Sequence, residues 1–254
     1  MLLGLNHQPT IPSAQLADML AALVPPDAAD WCAEANKAAG VVIADGNARG
    51  NADHGCCVVD GAFQRVRVAR AIVAGDTRDF DWPQVDPVYR TWSGYDGTDA
   101  TDQGCDSERA AVLWEQKGLR WSDEWLDLPT VRSVDPANVA HIKAAVAFTG
   151  PVQLDLALPL AWQDPASTVW TAISGPWGAK GSWGNHRTCG TGYDKDGLYV
   201  LTWGLLRLVT WAALAAYALG VEACVSRSWL DVTGLSPGRL DLAALESEGR
   251  ALAA

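Results

Sequence analysis

The residues of this sequence best suited to chemistry are a cysteine at the head of a helical pattern and a histidine that arrives from far along the chain. The segment Gly50-Asn51-Ala52-Asp53-His54-Gly55-Cys56-Cys57 ends in two adjacent thiols, just where an apolar helical stripe begins. Unpaired backbone N–H groups at a helix start favour a thiolate there, which is what makes a cysteine a nucleophile. Asn185-His186 supplies an imidazole that can act as base for such a thiol once the fold brings the two together. The competing structural reading is a buried thiol at a helix start with no reaction, because free cysteine is among the most buried residue types. A metal reading would gather His54, Cys56, Cys57, His186 and Cys189 at one point. However, His-x-Cys-Cys is not a usual zinc ligand spacing, so no metal and no other cofactor is expected.

Composition narrows the functional classes. The 254 residues, 49% of them hydrophobic, are enough for a substantial core; a chain of this size buries roughly 70–75% of the surface its unfolded form exposes. A net charge of −11 with only 19 scattered Lys and Arg argues against nucleic acid as a partner, since phosphate contacts need clustered cations. The first residues, Met1-Leu2-Leu3-Gly4-Leu5-Asn6, lack a basic stretch and a long apolar run, so no signal peptide is expected and synthesis in the cytoplasm is. Leu205–Val225 is the most apolar segment, but Arg207 and Glu222 interrupt it, and what lies between is too short for a membrane span. A buried helix followed by a core strand is expected there. Six cysteines without a signal peptide are expected to be reduced thiols. Thirteen tryptophans are many for this length; they suit a core and its rim, or an aromatic wall along a cleft.

The elements that must position the thiol and the imidazole follow from periodicity. Leu16, Met19, Leu20, Leu23 and Val24 make one face of a helix over 13–24, ended by Pro25-Pro26. Residues 27–55, rich in Ala, Asn and Gly, are expected to be irregular. From Cys57, residues Val59, Ala62, Phe63, Val66, Ala69 and Val73 share a stripe, and Gly75 is the expected C-cap. Residues 76–104, with seven aspartates, are expected to form a long solvated loop; Asp96, Asp99 and Asp102 do not fit a calcium loop. A short helix is expected over 107–118 and another from Asp135-Pro136 through Val146. Val152–Leu156 alternates as a strand, and Asp194-Lys195-Asp196-Gly197 turns a hairpin between 188–193 and 198–203. A helix over 210–219, a strand over 221–226 and a last helix over 237–250 complete the chain. Helices first and antiparallel strands later make an α+β architecture.

Several separated pieces of this sequence resemble papain-like cysteine peptidases. Asn51 stands six residues before Cys57, where that family places the glutamine that donates to the oxyanion. Asp102-Gln103-Gly104-Cys105-Asp106, followed by a helix to Lys117-Gly118, is similar to the family's glycine–cysteine segment. Ile142–Ala147 leading to Gly150-Pro151-Val152 looks like its passage into the second lobe. Asn185-His186 with Gly192-Tyr193 is similar to its histidine strand, and Thr202-Trp203-Gly204 to the strand that follows. The flavour is closest to divergent papain-like peptidases of bacteriophages, which implies association with a virion.

The resemblance covers about residues 27–226. It implies a two-lobe fold: a helical lobe over about 27–130 with Cys57 on its central helix, and an antiparallel, barrel-like lobe over about 131–226 with His186. Residues 1–26 and 227–254 are then extensions. It further implies that Cys57 attacks a peptide carbonyl, that His186 relays the proton, and that Asn51 with the Cys57 N–H forms the oxyanion hole. Trp177, Trp183, Gly184 and Gly104 are the residues expected to bind substrate, a protein or a peptidoglycan peptide. This chain departs from the family pattern in three places. Leu201 and Thr202 stand near the position of the asparagine that orients the histidine; Thr202 is expected to take over that role. Arg187 follows His186 where the family has a small residue, and Cys56 adds a second thiol. A papain-like module kept for structure or binding in a virus particle, its thiol silent, is the alternative; neither reading involves nucleic acid or a membrane.

Overall fold

The stripe that begins at Cys57 becomes the axis around which the molecule is built. A computed structural model of the chain describes residues 13–121, 124–125, 129–226, 229–231, 234–239 and 241. In it, helix α3 (Cys57–Ala74) is buried on almost every side, polar Asp60, Gln64, Arg65 and Arg67 included, and ends at Gly75 in the left-handed conformation (φ 60°). A helix buried all round must satisfy its polar side chains internally. Arg65 accordingly donates to the carbonyls of Thr149 and Cys224, and Arg67 to that of Ile43 (3.0 Å).

One side of α3, with Val59, Ala62, Phe63 and Val66, packs in a cluster with Val85, Tyr89 and Trp92 of α4 (Trp82–Ser93) and Ala110 and Trp114 of α5 (Ser107–Lys117). The other side, with Val68, Ala69 and Ala71, joins the larger core that lies on the sheet. Leu16 and Leu20 of α1 (Ser13–Ala22) and Trp31 and Ala35 of α2 (Trp31–Ala39) close that core from outside.

The sheet has eight strands among the described residues. These are β1 (Ala29–Asp30), β4 (Thr130–Val134), β5 (Val152–Leu158), β6 (Val169–Trp170), β7 (Gly184–Tyr193), β8 (Gly197–Thr202), β9 (Leu205–Thr210) and β10 (Ala218–Val225). Their order is β4-β10-β5-β7-β8-β9-β6, antiparallel throughout except for β6 on β9, with β1 added beside β7. A two-residue pair, β2 (Arg120–Trp121) with β3 (Glu124–Trp125), stands apart, and two short helices, α6 (Val139–Ala144) and α7 (Trp211–Tyr217), connect strands. The approach of β1 to β7 requires Gly192, where a Cβ would lie 2.4 Å from the Ala29 carbonyl oxygen. The mixed α+β class is therefore as the sequence implies.

Several elements differ from expectation. Residues 27–55 are not irregular throughout: α2 starts at Asp30, whose side chain accepts from the Ala33 N–H (2.9 Å), and stops at Gly40 (φ 69°). The acidic segment 76–104 is not one loop but contains α4. Asp81 and Gln84 form a reciprocal cap at its start, and Val85, Tyr89 and Trp92 face the core. Two prolines, Pro83 in the first turn and Pro87 within, disguise that helix in the sequence. The apolar run 205–225 opens with a strand, β9, before its helix. The helix expected from Asp135 starts instead at the Asn138 cap and relaxes into a π turn over Ala145–Thr149. The helix expected over 237–250 lies almost wholly outside the described residues. Residues 236–239 form a turn, with the Arg239 N–H donating to Ser236 (2.7 Å). No described helix is long and apolar enough to cross a membrane.

Candidate active site

Cys57 is the first residue of α3, and Cys56 before it occupies the N-cap position without a side-chain cap. The two thiols have different surroundings. Cys56 is fully buried among Val59, Phe63 and Tyr89. Cys57 instead lines two adjoining cavities of about 550 and 410 Å³. His186 lines both as well, so β7 and the start of α3 meet at one cleft.

The histidine is held on two sides. Its Nε2 lies 2.6 Å from the Thr202 Oγ1, both residues being buried. With Thr202 accepting, Nε2 carries the proton and Nδ1 keeps its lone pair. The Trp203 ring stacks on the imidazole, centroids 4.3 Å apart and planes 16° off parallel. Trp203 and Gly204 form the two-residue turn between β8 and β9, both with positive φ (49° and 73°). Gly204 is required there, because a Cβ would lie 2.5 Å from the Asn47 backbone. Trp203, not a glycine, sits in the left-handed region, a strain of about 1–3 kcal/mol of the kind that concentrates at functional sites. Its indole N–H donates to the Asn51 carbonyl (3.1 Å), tying the histidine hairpin to the loop before Cys57.

Asn51 lines the smaller cavity, together with Gly104, Trp183 and Gly184. Its side-chain amide donates to Asp60 Oδ2 (3.1 Å), one turn into α3 from Cys57. Trp177 lines neither cavity and stands exposed on the segment Pro176–Gly178. Trp162 and Trp170, stacked 4.7 Å apart, are buried in the core, so only Trp183 of that tryptophan cluster reaches the cleft.

Electrostatics set the resting state. Burial pushes the Cys57 thiol up, opposed by hydrogen bonding from the Arg187 backbone. Burial pulls His186 down to about 4, with Asp155 acting weakly the other way. Both shifts favour the uncharged forms, a thiol and an imidazole on one cleft wall, over the ready thiolate that a helix start suggests. Arg187 does not act on it as a bare cation. Its guanidinium is bidentate to Asp155 (2.6 Å on each arm) and reaches Glu222 (2.7 Å). These carboxylates, with Asp106 and Glu108, make the larger cavity acidic.

Sequence reasoning passed over three contributors. Asp60 is one, and a charged residue inside Val58-Val59-Asp60-Gly61-Ala62 was the signal available. The Trp203 ring is another. The third is a strap in which Asp102 accepts from the Gly55 N–H (2.8 Å) and from the Tyr89 hydroxyl, and meets His54 Nδ1 at 3.2 Å. It binds the Gly104 loop to the Cys57 loop. Among the described residues, no group of three or more His, Cys, Asp or Glu is arranged to hold a metal ion. His54 turns to Asp102, and Cys189 is buried in the sheet core.

No protein-family model and no curated protein matches the sequence. Solved structures do match the fold. A cysteine protease from Carica candamarcensis is 16% identical with a TM-score of 0.54, over 79% of this chain and 98% of that one. Xylellain, a cysteine protease from Xylella fastidiosa, is 11% identical with a TM-score of 0.55, over 85% and 89%. Digestive procathepsin L 3 from the larval midgut of Tenebrio molitor is 13% identical with a TM-score of 0.56, over 80% and 71%. With a central helix bearing Cys57, an antiparallel sheet bearing His186 and a cleft where they meet, this chain has the papain-like two-lobe α+β fold.

Proposed function

We propose that the chain is a papain-like cysteine peptidase that hydrolyses peptide bonds through Cys57 and His186. The observation that carries this reading is that His186 is held between Thr202 and Trp203 while sharing its cleft with Cys57. A core histidine would need no such support on a cavity wall. The substrate carbonyl carbon forms a bond to Cys57 Sγ as the thiol proton passes to His186, and the carbonyl π pair moves onto oxygen. Asn51 and the Cys57 N–H stabilise that oxyanion. The C–N bond then breaks, the amine leaves with the proton from His186, and water cleaves the thioester to return the thiol. Because burial favours the uncharged thiol and imidazole, proton transfer accompanies attack.

The substrate is a peptide bond in a protein or a peptidoglycan peptide, its chain lying along Gly104, Trp183 and Gly184. Cytoplasmic synthesis and a place in a phage particle, among virion proteins, rest on the sequence reading alone. The test is labelling with a thiol-directed epoxide at neutral pH, read by peptide mass spectrometry. Selective modification of Cys57 that His186→Ala abolishes supports the peptidase. Cys57 reacting no faster than the other five thiols, or indifferently to His186, leaves a structural module instead.

A further inference from the structure

Asp60 has no role in the proposed reaction, yet it is a buried carboxyl, 2% exposed, one helix turn after Cys57. Its Oδ2 accepts from the Asn51 amide (3.1 Å) and its Oδ1 from Gln64 Nε2 (3.3 Å). It sits on α3 three residues after Cys57, and its backbone N–H donates to Cys56 (2.9 Å). Asn51 is fixed twice, by Trp203 at its carbonyl and by Asp60 at its side chain. An amide nitrogen has two protons, and Asp60 takes one. The other is available to the cavity that Asn51 shares with Cys57.

We propose that Asp60 is a positioning residue that clamps one N–H of Asn51 so that the other is aimed at the oxyanion formed over Cys57. This rests on the peptidase reading. Such a clamp matters because each rotatable side-chain bond left free lowers the fraction of time a donor is in place. The clamp also couples the donor to the nucleophile, because Asp60 and Cys57 ride on one turn of one helix. Burial pushes the carboxyl up to about 7 against Gln64, Arg49, Asn51 and Arg67. A buried carboxyl of this kind is costly to keep for packing alone.

The experiment compares two probes of Cys57: iodoacetamide, whose alkylation needs no oxyanion donor, and a peptide aldehyde, whose tetrahedral thiol adduct does. In Asp60→Leu, aldehyde affinity and kcat/KM should fall about 10–100-fold while the alkylation rate stays within about threefold. Asp60→Asn, which keeps an acceptor, should restore most of the loss, and Asn51→Ala combined with Asp60→Leu should be no worse than Asn51→Ala. Equal loss in both probes, or unchanged aldehyde affinity, overturns the role. Should Asp60→Leu fail to fold, NMR of the unmutated protein decides. Aldehyde binding must shift the Asn51 side-chain amide and the Asp60 carboxyl carbon together, and an unmoved Asp60 overturns the role. Wild-type protein whose alkylation ignores His186 overturns the peptidase reading itself, a result distinct from any Asp60 outcome.

Discussion

The Trp203 indole lies almost parallel to the His186 imidazole, 4.3 Å away, while its N–H reaches across to the Asn51 carbonyl. One side chain thus braces the proposed base and the proposed oxyanion donor. A ring against an imidazole limits its rotation, and the N–H fixes the facing loop. The strained backbone at Trp203 is the cost of putting the ring there.

Trp203→Ala should therefore lower kcat about 10–100-fold with a smaller change in KM, because both partners lose their orientation. Trp203→Phe, which keeps a ring without the N–H, should fall between. Steady-state kinetics on a peptide substrate distinguishes this from simple loss of substrate contact, which would raise KM instead.

Thr202→Val keeps the shape beside His186 and removes the oxygen 2.6 Å from Nε2. With the ring N–H left unpaired in a buried site, kcat/KM should drop about tenfold, close to 1.4 kcal/mol. Thr202→Ser should retain most activity. An unchanged Thr202→Val would mean that His186 is held by packing alone.

The pH–rate profile should report the depressed histidine. Protonation of His186 removes the base, and burial holds its titration down to about 4. The acid limb of kcat/KM should accordingly appear near pH 4, with activity level from there to neutral pH. An acid limb near 6.5, the ordinary imidazole value, would show an exposed or charged histidine instead.

Arg187→Met should destabilise the protein by about 3 kcal/mol, since it leaves Asp155 and Glu222 facing each other without their cation. Urea unfolding measures this. Adding Asp155→Asn and Glu222→Gln should recover most of the loss, which packing defects alone would not allow.

Much of the scaffold was legible in the sequence because its signals are local. The stripe from Val59 to Val73 with Gly75 after it defines α3, and Asp194–Gly197 defines the β7–β8 turn. Helix α4 was hidden because its prolines and aspartates imitate a loop. What shows it to be a helix is the cap between Asp81 and Gln84 together with the burial of Val85, Tyr89 and Trp92. Tryptophans 162, 170, 177 and 183 look alike in the chain, yet two are core, one is exposed and one lines the cleft. Burial is decided by what packs opposite, which no local pattern contains.

The sequence by itself determined which residue types can do chemistry here: a thiol on a helix start, an imidazole on a strand, an amide before the thiol and a hydroxyl after the imidazole. Periodicity and turn chemistry carry that much, since they depend on neighbours along the chain. Only the tertiary structure decided which of two adjacent thiols reaches the cleft and that Arg187 is neutralised by two carboxylates. It also decided that burial favours the uncharged thiol and imidazole, and that Asp60 and Trp203 hold Asn51 from opposite ends. Each of these depends on dielectric surroundings and on contacts between residues far apart in sequence, and such contacts exist only once the two lobes have closed on one another.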